Sequence, residues 1–251
     1  MATIKLNGWR EDPNCNEDYK FCSAGLIVEG TTPNKYDLLP WSPPVEQQAE
    51  LSSCVGNSVV SALEIRNLIS GKQHVDLSRL FVYYNARVAM NETHADQGCY
   101  IRDAMKSLAT FGTCSESTWQ YDVSNVYIRP PWRAYREAYM HRIGAYYRID
   151  HENFDQLCAE IEIALAAKHP VVFGVKIWSE FQQCSGDVRL PDVSKNSIGS
   201  HAMCIVGYDR SSKQFLVRNS WGESWGDSGH CRMPYEYLRV GEAKDFWVLT
   251  V

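Results

Sequence analysis

Two lobes facing each other across a cleft, one helical and one built mainly of strands, form the α+β architecture that this 251-residue sequence predicts. Two observations lead there. Apolar residues recur at helical spacing through the first half and give way to strand-like runs after Pro170, so helices and strands are segregated rather than alternating. A hydrophobic content of 45% over this length is enough to bury one large core or two closely packed ones.

Residues 1–35 are polar and irregular and read as an extended arm, and Pro40, Pro43 and Pro44 stiffen the next stretch. From Ser53 the run CVGNSVVSALEIRNLISG has helical periodicity and stops at Gly71, which places Cys54 at a helix start. Asp76 or Ser78 can cap a second helix through about Val88, and a third is expected over residues 100–110. After Pro130-Pro131, two more helices are expected, at about 132–142 and 154–168. The segments VVFGVKIW, HAMCIVGYD, QFLVRNSW, GHCRM and DFWVLTV then read as strands. This divides the chain into the arm (1–35) and one domain (36–251), with a helical lobe over about 45–128 and a strand-rich lobe over about 129–251.

The net charge of −5 does not suit a general binder of nucleic acids or anionic membranes. One stretch, RPPWRAYREAYMHRIGAYYR, interleaves five arginines with aromatic residues and could stack on single strands, but an amphipathic helix packed on the core explains it more simply. The start, MATIKLNGWREDPN, lacks the apolar core of a secretory leader, and no apolar run reaches eighteen residues. The compartment stays open: cytoplasmic, or exported without a cleavable leader. No membrane or nucleic-acid partner and no oligomerisation is expected. Nine cysteines are an odd number, without CxxC or zinc-finger spacing, so neither a metal nor a cofactor is expected. Cys158, Cys204 and Cys231 read as small core residues, while Cys15 with Cys22, or Cys99 with Cys114, are candidate bridges in an oxidising compartment.

A cysteine at a helix start meets the positive end of the helix dipole and free backbone N–H groups, which favour its thiolate. Such a cysteine is inert without a base. Of seven histidines, His74, His94, His141, His151 and His169 lie in polar or helix-end contexts and His230 opens a short strand, whereas His201 follows Gly199-Ser200 and starts an apolar strand, at the mouth of a cleft. Asn219, beside Trp221, suits the task of orienting an imidazole while water is kept away.

The segments GSHAMCIVGYD and FLVRNSWGESWGDSGH resemble the histidine and asparagine motifs of papain-like cysteine peptidases, and PPVEQQAELSSCVGNS resembles their glutamine-to-cysteine segment, with Gln48 six residues before Cys54. QGCYIRDAMKSLATFG and HPVVFGVKIWSEF are similar to the family's glycine-rich wall and first barrel strand. In chain order the likeness runs over about 36–251, and a compact bacterial type of member is the nearest comparison. There are departures. Leu51 stands at the place of the family's cysteine beside the nucleophile, so the usual disulfide there cannot form; Ser52 replaces a glycine, Val55 an aromatic residue, and Cys99 a glycine of the wall.

The resemblance implies a papain-like two-lobe fold whose right lobe is β-barrel-like, and hydrolysis of peptides or proteins by acyl transfer. Cys54 would be the nucleophile, His201 the acid and base, Asn219 its orienter, and Gln48 an oxyanion donor. Gly98, Cys99, Ser200 and Trp221 would contact substrate. It also implies a segment lying across the cleft: Trp9, Tyr19 and Phe21 are anchors for a blocking arm, though an arm packed on the far side of the fold fits the sequence equally. Two other functions suit the sequence, a catalytically silent peptide binder and a cysteine-dependent amidase or transferase with a non-protein substrate.

Overall fold

The computed structural model describes residues 4–23, 25 and 32–251. The arm contributes β1 (Trp9–Arg10), and β2 (Lys35–Asp37) comes after it. Helix α1 (Cys54–Ile69) is buried almost throughout, because it lies between the helical lobe and the sheet. The polar side chains it buries are hydrogen-bonded: Asn57 Nδ2 donates to the Ser53 carbonyl, Ser58 Oγ donates to the Ala202 carbonyl, and the Glu64 carboxyl accepts from the Leu77 N–H. Gly56 lets the next helix come close: a Cβ there would lie 2.8 Å from the Arg79 carbonyl oxygen. That helix, α2 (Arg79–Ala89), is capped by Ser78, whose Oγ accepts from the Phe81 N–H. Then come β3 (Cys99–Tyr100), α3 (Ile101–Thr110) and α4 (Trp132–Ala138), the last burying Ala134 and Ala138 against Phe81.

The second lobe holds β4 (Ala145–Ile149), α5 (Phe154–Ala166), β5 (Val171–Ile177), the short α6 (Ser179–Gln182), β6 (Gly199–Asp209), β7 (Gln214–Arg218), β8 (His230–Pro234), α7 (Tyr235–Val240) and β9 (Lys244–Thr250). All seven sheet strands pair antiparallel, in the order β4-β9-β5-β6-β7-β8, with β2 beside the far end of β6. The expectation of a barrel-like right lobe is therefore corrected: the sheet is open. Closure would require β4 to pair with β8, and each of these edges is covered by something else. The Arg148 N–H of β4 is bonded to the Tyr19 carbonyl, and β8 exchanges backbone bonds with residues 186–188 through Arg232. Loops that satisfy an edge remove the drive to close it.

One irregularity matters for the cleft. The pairing of β5 with β9 shifts register between Val172 and Gly174, and Asp245, on the bulged strand, has φ +57° and is buried. A bulge re-aims a side chain, here a carboxylate turned inward. The paired-cysteine expectation is also corrected, since Cys15, Cys99 and Cys114 carry free thiols. Cys158, Cys204 and Cys231 are buried, as expected of core residues. Among the described residues, no helix is long and apolar enough to cross a membrane.

Candidate active site

Cys54 is the first residue of α1, so the unpaired N–H groups of the helix start surround its sulfur. The loop before it is pinned. The Ser52 N–H donates to both oxygens of Asp96 (3.1 and 3.2 Å), Ser52 Oγ donates to the Asp96 carbonyl (3.2 Å), and the Tyr83 hydroxyl donates to Asp96 Oδ1 (2.6 Å). The buried Asp96 carboxylate thus ties the nucleophile loop to residues 92–98, close to where the resemblance would have placed a disulfide. On its other side, Cys54 Sγ accepts from the Ala202 N–H of β6 at 3.4 Å.

His201 stands beside that N–H on the same strand, fully buried. Its Nε2–H donates to Asn219 Oδ1 at 2.7 Å, and the Trp221 ring lies over the imidazole with centroids 4.8 Å apart. Phe181 and Trp225 pack against that indole, so the His201–Asn219 bond is shielded from water. His201 Nδ1 makes no hydrogen bond, which leaves this nitrogen for the thiol. Gln48 is held at both ends of its amide: Oε1 accepts from Ser220 Oγ (2.7 Å), and Nε2 donates to the Leu51 carbonyl (3.0 Å). Ser220 follows Asn219, so glutamine and asparagine are tied through adjacent residues.

The arm passes over this group. Gln48 Nε2 also donates to the Lys5 carbonyl at 3.2 Å, and the Asn7 N–H bonds the Ser200 carbonyl at 2.8 Å. Gly8 lies against the sulfur so closely that a Cβ there would be 2.6 Å from Cys54 Sγ. Its carbonyl accepts from the Cys99 N–H (3.1 Å), and β1 pairs with β3 in parallel. Gly98, at φ +78°, faces the same carbonyl; a Cβ would come within 2.4 Å of it. Ser200 Oγ donates to the Trp9 carbonyl, and the Trp9 ring lies flat on Gly174 with its Nε1–H donating to Asp245 Oδ2 (3.0 Å). Three carboxylates and two guanidinium groups hold the arm beyond this point: Arg148 reaches Asp12, Asp18 and Asp245, and Arg102 grips Asp18 with two hydrogen bonds.

A family model of papain family cysteine proteases matches residues 33–245, which leaves the arm outside the match. The chain belongs to the papain family of cysteine proteases. This papain-family chain is 34% identical over 220 residues to an uncharacterised peptidase C1-like protein of Acanthamoeba polyphaga mimivirus, covering 84% of this chain and 71% of that one. It is 27% identical over 222 residues to Peptidase 1 of Dermatophagoides pteronyssinus, covering 86% of this chain and 64% of that protein's length. Among solved structures it is similar to xylellain, a cysteine protease from Xylella fastidiosa, with a TM-score of 0.86 and 29% identity, covering 100% of this chain and 98% of that one. The compact bacterial type of member suggested by the sequence agrees with that likeness.

Burial sets the charge state of the cysteine protease's central pair. Desolvation pushes the Cys54 thiol up to about 12, against the N–H groups of Ala202, Val55 and Cys54 itself, which favour the thiolate. It also pushes His201 down to about 4, against its bond to Asn219. With the arm in place the pair is therefore a neutral thiol and a neutral imidazole. On the arm, burial and then the facing Asp245 raise Asp12 to about 7. Of the four residues expected to touch substrate, Gly98, Cys99 and Ser200 line the path of the arm, whereas Trp221 sits behind the imidazole. Sequence reasoning missed Asp96, whose partners come from three separate segments. Its one local signal was an acidic residue two positions before Gly98.

Proposed function

We propose that this papain-family protease cleaves peptide bonds with Cys54 as nucleophile, His201 as acid and base, Asn219 as its orienter and Gln48 as oxyanion donor, and that residues 4–18 hold it in a latent form. The observation that carries this reading is the path of the arm: an extended peptide bonded to Gln48, Ser200 and Cys99 lies directly on the Cys54 sulfur. A cleft that holds its own backbone in this way will hold that of a substrate.

With the arm displaced, water reaches the pair and the desolvation cost of charge falls. The Cys54 proton then moves to His201 Nδ1, giving a thiolate stabilised by the helix start and an imidazolium held by Asn219. The thiolate attacks the scissile carbonyl carbon, and the developing oxyanion takes hydrogen bonds from Gln48 Nε2 and the Cys54 N–H. The tetrahedral species collapses to a thioester as His201 gives its proton to the departing amine. His201 then takes a proton from water, which hydrolyses the thioester and restores the thiol. Trp221 keeps the His201–Asn219 bond dry through the cycle.

Hydrolysis of fluorogenic peptides and labelling by a peptidyl epoxide test this. Turnover and labelling are expected to vanish in Cys54→Ala, and His201→Ala is expected to turn over at least ~100-fold more slowly. Turnover that survives Cys54→Ala would overturn the assignment.

A further inference from the structure

Two thiols away from the cleft face each other in the strand-rich lobe. Cys231, on β8, is 1% exposed, whereas Cys184, just after α6, is only half-buried. The Cys231 thiol donates to the Cys184 sulfur, which also accepts from the Gly186 N–H at 3.3 Å. Backbone bonds keep the two together. The Arg232 N–H donates to the Gly186 carbonyl at 2.7 Å, and the Val188 N–H to the Arg232 carbonyl at 2.9 Å, so the segment after Cys184 is fastened to the residue that follows Cys231. The segment before Cys184 carries an aromatic shelf beneath His201. Phe181 packs on Trp221 and Trp225, and Trp225 Nε1–H donates to the Gln182 carbonyl at 3.2 Å.

The two thiols are unequal in the way that thiol–disulfide exchange requires. The hydrogen bond from Cys231 lowers Cys184 to about 7, against burial and with the help of the Gly186 N–H, so much of it is thiolate at neutral pH. A thiol attacks best when it titrates near the ambient pH. Burial holds Cys231 well above the ordinary thiol range, and its sulfur is reached from Cys184 rather than from solvent. Cys54 is the opposite case: it is pushed up to about 12 and covered by Gly8 of the arm.

We propose that Cys184 and Cys231 form a reversible disulfide by exchange with small disulfides, and that this bond staples the Phe181 shelf to β8 while Cys54 stays a thiol under the arm. The Cys184 thiolate attacks one sulfur of the small disulfide, whose S–S bond breaks and releases a thiolate. Cys231 passes its proton to that thiolate and attacks the Cys184 sulfur, displacing the second small thiolate. Two protein thiols are thereby oxidised, and one small disulfide is reduced to two thiols. The closed bond needs the sulfurs about 2.05 Å apart. Residue 184 lies outside the paired stretch 186–188, so it is free to shift toward β8. None of these steps depends on the catalytic assignment.

The test incubates the reduced full-length chain with oxidised glutathione at neutral pH, traps the remaining thiols with N-ethylmaleimide in denaturant, and maps the peptides without reduction. The wild-type protein is expected to yield a Cys184–Cys231 linked peptide with Cys54 trapped as a free thiol. Its thermal midpoint is expected to rise by roughly 4–16 °C, a gain that dithiothreitol reverses. Cys231→Ser removes the resolving thiol and is expected to stop at a glutathione adduct on Cys184, while Cys184→Ser is expected to leave Cys231 unmodified. Should either variant fail to fold, the wild-type map decides alone. Cys184 and Cys231 both left free, an adduct on Cys184 that never passes to Cys231, or oxidation of Cys54 ahead of Cys184 would overturn the inference. A linked pair with an unchanged thermal midpoint would overturn the staple.

Discussion

A Gly8→Ala substitution adds one methyl group at the tightest contact between the arm and the reactive sulfur. The new Cβ would lie 2.6 Å from Cys54 Sγ and 2.7 Å from the Ser52 carbonyl oxygen, where ordinary contacts between carbon atoms are about 3.5–4.0 Å. Neither neighbour can give way easily: Cys54 is fixed by α1, and Ser52 is backbone held by Asp96. Overpacking of this kind costs roughly 1–3 kcal/mol, and if the arm relieves it by undocking, the open fraction rises about 5- to 150-fold. The assay is carbamidomethylation of Cys54, read by peptide mapping with the other cysteines as controls, as a function of pH. In the docked state the thiol is pushed up to about 12 and His201 down to about 4, so little thiolate exists at neutral pH. In the mechanism proposed above the undocked state holds the ion pair, so its alkylation is expected to persist below neutral pH. Gly8→Ala is expected to raise the Cys54 rate by the same 5- to 150-fold, roughly, most clearly on the acid side. Alkylation at the wild-type rate and pH dependence would mean that the arm does not seal the thiol.

Four further outcomes are expected. Gln48→Ala should lower kcat by about 100- to 1,000-fold in steady-state peptide hydrolysis, through loss of an oxyanion donor. Asn219→Ala should lower kcat by roughly 10- to 100-fold, the range found when the partner that orients a functional histidine is lost, and should alter the pH–rate profile, because the His201 ring loses its acceptor. Arg148→Met removes the guanidinium that faces Asp12, Asp18 and Asp245, and should speed Cys54 alkylation in the full-length chain by loosening the arm. Glu64 lies on a buried face of α1 and its carboxyl is raised to about 8 by desolvation, so its share of stability is present below about pH 4.5 and is lost as pH rises through 8. Glu64→Gln, which keeps an acceptor for the Leu77 N–H, should remove that loss and stabilise the protein by roughly 1–4 kcal/mol above pH 8 in thermal melts.

The elements that carry Cys54, His201 and Asn219 were legible because each lies in a local pattern: a helix start, an apolar strand, and an asparagine beside an indole. The main helices and strands follow the sequence periodicity within a few residues. The closure of the sheet was not legible, since a row of strands says nothing about which edges meet, and here Tyr19 and residues 186–188 take the edge bonds instead. β4 was missed because AYYRI lacks a clean alternation, four of its five residues being half-buried. The path of the arm could not be read either. Of its three expected anchors, Trp9 and Phe21 are buried while Tyr19 is exposed and contributes its backbone instead. Asp96 was invisible for a related reason: a buried carboxylate is defined by its partners, and Lys5, Ser52 and Tyr83 are distant from it in sequence.

The clamp on Ser52 also bears on the conditions under which such an enzyme can be handled. A sulfur nucleophile has to be kept reduced, and a scaffold fastened beside it by a disulfide would be exposed to the reagents that keep it alive. Here the loop that presents Cys54 is fastened by a carboxylate on backbone and hydroxyl groups. Thiols at any concentration that protects the nucleophile leave that fastening untouched.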